Sequence, residues 1–239
     1  MKAVILAGGL GERLRPLTQA IPKPLLPIGE QSLLEIQIIN LSKHGIREVL
    51  IATNYKSHYI ENFIGDGSDL GASIYYSQEE KPLGTCGPLS LLRRQLDAPF
   101  VMMNGDILTN LDFGRFCETA SADPAELTVV TKRIHTPFNF GSVASEGSRI
   151  IGLEEKPELL SEIVAGIYFI RPELLRHVPD DTYFGIDKLI QQMLAEGEPV
   201  GRYLMNEYWL DIGAIDDYDE AETAYREHFQ ESQESDSGD

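Results

Sequence analysis

The sequence has little of what binds nucleic acid, spans a membrane or braces a secreted domain. It has only 2 cysteines, Cys86 and Cys117, far apart and without CxxC or Cys/His spacing. That excludes a disulfide framework or a zinc motif, and fits two reduced structural thiols in a cytoplasmic protein. Basic residues are scarce: 20 Lys and Arg stand against 38 Asp and Glu, a net charge of -18. Without a basic face, neither a nucleic acid nor an anionic membrane is an expected partner. No apolar run reaches membrane-spanning length, and the apolar start is broken at Gly8 and Gly9, so it lacks the core of a secretory signal. Internal repeats and Pro/Gly/Ser-rich linkers are also missing. A polyanionic substrate would have to be held locally, by a few placed cations, by backbone N–H groups or by a metal.

What is present is a core-forming composition, 42% apolar, and an alternating rhythm of elements. Short apolar runs at 3–6, 49–52, 72–76 and 100–104 read as buried strands, with helical spacing at 33–44, 59–64 and 89–96 between them. Gly45 stands where the cap of the first of these helices belongs. Strands apolar on both faces and separated by helices predict an α/β fold, with a mostly parallel sheet flanked by helices. Beyond Asp112 the segments become shorter and strand-rich (127–132, 141–143, 150–154, 164–170), with helical patterns at 172–177 and 186–195. This half reads as a smaller mixed β extension that forms one side of a cleft. A final acidic helix is expected over 216–229, started by Asp216. We therefore expect one domain over 1–229, with halves of about 1–112 and 113–229, and a disordered acidic tail at 230–239.

The first strand runs into Gly8-Gly9-Leu10-Gly11-Glu12-Arg13-Leu14-Arg15-Pro16-Leu17-Thr18. Such glycines let a backbone approach an anion and aim N–H groups at it. Arg13 adds a planar fork for phosphate oxygens. Lys23, between Pro22 and Pro24, is a charge on a stiffened segment. The dinucleotide pattern GxGxxG fits at Gly9 and Gly11 but fails at Leu14, and no acidic residue follows the strand ending at Ala52. A dehydrogenase is therefore disfavoured, and the Walker pattern is absent.

Carboxylates stand at two further strand ends. Asp106, in Asn104-Gly105-Asp106, follows an apolar strand and suits a hard cation carrying triphosphate, although Asn-Gly also reads as a hairpin turn. Asp211 lies in Tyr208-Trp209-Leu210-Asp211-Ile212-Gly213, where an acid among apolar residues is costly unless paired or metal-bound. In Glu154-Glu155-Lys156-Pro157, Glu155 can accept from sugar hydroxyls and Lys156 can neutralise a monoester phosphate; the same residues would equally make a solvated turn.

The run from Ala7 to Thr18, followed by Pro22-Lys23-Pro24, resembles the signature of the sugar-1-phosphate nucleotidyltransferases, the NDP-sugar pyrophosphorylases. Many members carry Thr or Ser where this chain has Glu12; an acid there should point away from a triphosphate. The resemblance covers the chain from Met1 to about Phe229. It implies a Rossmann-like sheet of the GT-A type and nucleotidyl transfer from a nucleoside triphosphate to a sugar 1-phosphate, with Mg²⁺ bound by Asp106 and Asp211. Arg13, Lys23 and Lys156 would be the catalytic cations. Gly8, Gly9, Gly11 and Asp106 would hold the nucleotide, with Gln78, Gly84 and Thr85 in the base-reading loop. Gly141, Glu155, Lys156 and Gly166 would hold the sugar phosphate. The Pro-Leu-Gly-Thr run and the length look most like bacterial guanylyltransferases acting on mannose- or heptose-type phosphates, with UTP- and dTTP-dependent enzymes next. No acyltransferase repeat follows, so a monofunctional transferase is implied. A catalytically silent relative that senses a sugar nucleotide is the rival reading, and homo-oligomerisation is left open.

Overall fold

Strand β1 (Lys2–Leu6) shows why the amino-terminal run is apolar on both sides: Ala3 and Ile5 pack into one core and Val4 into another. The structure is a computed structural model that describes residues 1–229; the acidic stretch 230–239 lies outside the described residues. After β1 come a one-turn helix α1 (Leu17–Ala20), the small hairpin β2 (Pro27–Ile28) and β3 (Gln31–Ser32), and α2 (Leu33–Lys43). Helix α2 starts on a reciprocal cap, in which Ser32 Oγ accepts from Glu35 N–H and Glu35 Oε2 accepts from Ser32 N–H. Then follow β4 (Glu48–Thr53), α3 (Ser57–Ile64), β5 (Ser73–Gln78), β6 (Phe100–Asn104), β7 (Ile107–Thr109) and α4 (Phe113–Ala122). The second half holds β8 (Leu127–Pro137), β9 (Ser142–Glu146), β10 (Arg149–Glu154), β11 (Glu158–Ile170), α5 (Ile186–Glu196), β12 (Val200–Leu204), β13 (Trp209–Asp211) and α6 (Ile215–His228).

One seven-stranded sheet, in the order β12-β8-β11-β6-β1-β4-β5, runs through both halves. Every neighbouring pair is parallel except those made by β11, which is antiparallel to both β6 and β8. The sheet is therefore mostly parallel, as expected, and β11 alone reverses. Helices α2, α3 and α4 cover one face. The other is covered by α5 and by two 3₁₀ segments, 87–92 and 172–177.

Two expectations need correction. The helix expected at 89–96 is a 3₁₀ segment over Gly87–Leu92; its backbone is tied by Cys86 and Gly87 N–H groups donating to Phe184 O, contacts that no local pattern encodes. The strand-rich second half is built onto the same sheet: β8, β11 and β12 complete it, while β9 pairs with β10, and β13 with β7, in two small sheets. The last helix starts on Asp217, whose Oδ2 accepts from Gly213 and Ala214 N–H; Asp216 does not cap it.

Both cysteines are buried and uncrosslinked, and burial pushes each thiol up to about 12. No helix among the described residues is long and apolar enough to cross a membrane.

Phe116 of α4 keys the helix layer to the sheet, with its ring 6.4 Å from Phe169 on β11 and 5.1 Å from Tyr203 on β12, both edge-on. Fully buried aromatic side chains cost about 3–5 kcal/mol when truncated to alanine. We expect Phe116→Ala to lower the unfolding free energy by about that amount, read from the urea midpoint; a loss below about 1 kcal/mol would remove Phe116 from this role.

Candidate active site

The carboxyl ends of β1 and β6 lie side by side, with Leu6 paired to Asn104. There Gly105 N–H donates to Leu6 O at 2.9 Å, and a Cβ at Gly105 would lie 2.7 Å from that oxygen. Only glycine permits so close an approach. The turn it makes is held from beneath by Gln37, a 3% exposed residue of α2 whose Nε2 donates to Asn104 O and Ile107 O. Asp106 is the next residue, aimed into the cleft.

Strand β13 then brings the second carboxylate to the first. It pairs antiparallel with β7, placing Asp211 opposite Ile107, and Ile212 N–H donates to Asp106 O at 3.0 Å. Lys23, only 8% exposed, reaches Asp106 Oδ2 at 2.7 Å. The Arg13 guanidinium lies over Gly213, with Nη2 3.0 Å from where a Cβ would stand, and makes no hydrogen bond to any described residue. Burial, and then repulsion by Asp106, hold the Asp211 carboxyl above the usual range, against the pull of Lys23 and Arg13. Two acids crowded together beside two cations form a site of mixed sign, suited to a divalent cation that carries anions.

The Gly-rich loop closes on itself through Leu14 N–H and Thr18 Oγ1, both donating to Gly11 O. Glu12 turns outward to pair with Arg15 at 3.2 Å. Gly9 faces open space, and it lines a narrow cavity together with Lys23 and Asp106.

On one side of Asp106 lies a cavity of about 340 Å³ whose walls include Gly8, Gly9, Gly84, Thr85 and Glu79. Gln78, expected here, ends β5 exposed and is not among its lining residues. Glu79 points inward instead: it is 7% exposed, its Oε2 accepts from Leu83 N–H, and its Oε1 lies 3.2 Å from where a Gly8 Cβ would stand. Burial raises its pKa. Nothing in Gln78-Glu79-Glu80 separates these neighbours, because which of them turns inward depends on where the edge strand ends. The loop 83–87 is clamped by the segment before α5: Leu83 O accepts from Phe184 N–H, and Thr85 Oγ1 from Ile186 N–H.

On the other side lies a second cavity of about 340 Å³, lined by Asp211, Gly166, Tyr168, Trp209 and Asp187 among others. Asn104 lines both cavities. Gly166 stands at φ +71, and its missing Cβ leaves room for the Asn104 amide, which would otherwise meet it at 2.7 Å. Gly141 and Glu155 adjoin each other, with Glu155 Oε2 3.2 Å from where a Gly141 Cβ would stand. Glu155 and the left-handed Lys156 (φ 49) are exposed on the β9–β10 side and are not among the lining residues of this cavity. The site thus gathers Arg13, Lys23, Asp106 and Asp211 closely, and Gly141, Glu155 and Lys156 less so.

Similarity to known proteins follows the same lines. Residues 2–228 match the family model described as nucleotidyl transferase. The mannose-1-phosphate guanylyltransferase catalytic subunit beta of Danio rerio is 35% identical over 226 residues, 91% of this chain and 62% of that protein. Mannose-1-phosphate guanylyltransferase 1 of Arabidopsis thaliana is 34% identical over 227 residues, 91% of this chain and 63% of that protein. The chain therefore spans less than two thirds of the length of these curated relatives. A crystal structure from Bacillus anthracis, assigned as a glucose-1-phosphate thymidylyltransferase, superposes with a TM-score of 0.78 at 26% identity and covers 95% of each chain. With a match running from β1 through α6, and with the loop, the paired acids and the twin cavities it frames, this chain belongs to the nucleotidyl transferase family.

Proposed function

We propose that the chain joins a nucleoside triphosphate to a sugar 1-phosphate and releases pyrophosphate, with GTP and a mannose- or heptose-type 1-phosphate as substrates. The observation that carries this reading is the meeting of Asp106 and Asp211 beside Lys23, between two cavities of similar size. One cavity suits the nucleoside and the other the sugar, with the reacting phosphates between them. Asp106 and Asp211 would hold Mg²⁺, which when bound neutralises charge on the triphosphate. The two half-sites, roughly 1–112 and 113–229, would then be a nucleotide side and a sugar side of one sheet, and the buried free thiols suit a reducing cytoplasm.

A phosphate monoester has a second pKa of about 6, so its attacking oxygen is already ionised at neutral pH and needs no general base. Histidine is absent from the lining of both cavities. The sugar phosphate oxygen bonds to the α-phosphorus, and the bond from that phosphorus to the β-phosphate oxygen breaks, which frees pyrophosphate. In this reading Arg13 and the Gly-loop N–H groups hold the triphosphate, Lys23 keeps positive charge beside the transferred group, and Lys156 would neutralise the incoming phosphate.

Guanine is favoured by Glu79. Guanine presents N1–H and N2–H donors together, which a carboxylate accepts, whereas uracil and thymine present one N–H between two carbonyl oxygens that a carboxylate repels. The guanylyltransferase relatives point the same way.

Two predictions follow from these roles. Asp211→Asn and Asp106→Asn should each cut pyrophosphate release by at least about 100-fold with cooperative unfolding retained, and near-normal turnover would remove that residue from the reaction. Alanine is the poorer probe at 106, because it strands the buried Lys23 charge. Glu79→Gln should weaken GTP selectivity over UTP by about 1–3 kcal/mol, measured as the ratio of kcat/KM. Because its pKa is raised, Glu79 loses its charge earlier than an ordinary glutamate as pH falls. The wild-type KM for GTP should therefore climb with acidification while that of Glu79→Gln stays flat, and parallel profiles would contradict the assignment.

A further inference from the structure

The sugar-side cavity is largely apolar, with Ile107, Ile163, Val164, Ile186 and Ile190 in its walls. A pyranose needs directed hydrogen bonds, and few polar side chains line this wall. Trp209 Nε1 donates to Ala165 O at 2.8 Å. Asp211 belongs with Asp106. The Asn104 amide is packed against Gly166, and its Oδ1 is buried without a partner. Asp187 is a carboxylate that stands apart from the paired acids: it lies in the first turn of α5, lines the cavity, is exposed, and makes no hydrogen bond or ion pair with any described residue. It lies close enough to the buried Tyr168 for its charge to help, after burial itself and Cys86, to raise the pKa of that phenol.

We propose that Asp187 is the sugar-reading residue of this site, its carboxylate accepting hydrogen bonds from adjacent ring hydroxyls of the sugar 1-phosphate. This rests on the transferase reading above. A carboxylate repels the phosphate end of such a ligand, so it selects for the hydroxylated ring. Its two oxygens match two neighbouring hydroxyl donors, and an acceptor that the bound sugar covers, left unpaired by a deoxy analogue, makes the site discriminate. Position matters too. Asp187 follows directly on Ile186, whose N–H is held by Thr85 of the base-side loop, so the sugar reader and the base loop are carried by one short rigid segment.

The test is a set of sugar 1-phosphates lacking one hydroxyl at a time, assayed with GTP by pyrophosphate release on wild type, Asp187→Ala and Asp187→Asn. Wild type should prefer the parent sugar over at least one deoxy analogue by at least about tenfold in kcat/KM. Asp187→Ala should bring that ratio to within about twofold, by raising KM for the parent sugar with KM for GTP unchanged, and Asp187→Asn, which keeps one acceptor, should fall between. An acid in the first turn also favours the helix dipole, so a purely structural Asp187 would lower the Tm and leave the parent-to-deoxy ratio intact; that outcome overturns the proposal. A wild-type protein that releases no pyrophosphate with any triphosphate and sugar phosphate overturns the transferase reading and this assignment together. An active wild type with an unaltered Asp187→Ala ratio overturns only the assignment.

Discussion

A three-residue ladder, β7 against β13, holds the cleft in register. Through it and the Ile212–Asp106 bond, two carboxylates about a hundred positions apart in the chain face the same space. Like charges so placed repel, and burial, with repulsion by Asp106 after it, raises the pKa of Asp211. Lys23, in a short 3₁₀ segment stiffened by Pro22 and Pro24, offsets part of it from a buried position. A molecule with a net charge of -18 can attract a triphosphate only where such local cations, open backbone N–H groups and a divalent ion outweigh the general field.

The two cavities are not independent compartments. Asn104 stands in the wall of both, and the segment at 182–187 touches both sides. Phe184 clamps the loop at 83–87 through backbone hydrogen bonds, while Asp187 faces the other cavity three residues later. Movement of that segment would alter the walls of both cavities together. Much of the precision comes from backbone held against backbone, as at Gly105 on Leu6 and Gly84 under Phe184 O, where a side chain would not fit.

Unlike this rigid centre, the β9–β10 side offers little buried surface: every residue of β9 is exposed, as are nearly all of β10. Glu155 and Lys156 ride on it. A part with few packed contacts opens and closes at low cost.

Much of this was legible beforehand. Strand β6 lies where its apolar run ends, α2 follows its helical spacing to Gly45, and Arg13, Lys23, Asp106 and Asp211, singled out by residue type and position, come together in one cleft. What the chain alone could not yield was everything set by contact between distant segments. The inward turn of Glu79 rather than Gln78, the 3₁₀ path of 87–92 under Phe184, the support of Asp106 by Gln37, and the place of Asp187 in an apolar wall all depend on partners at large sequence separation. Local pattern reports which face of an element is apolar; which polar side chain meets which cavity is decided only when the sheet closes and the elements pack.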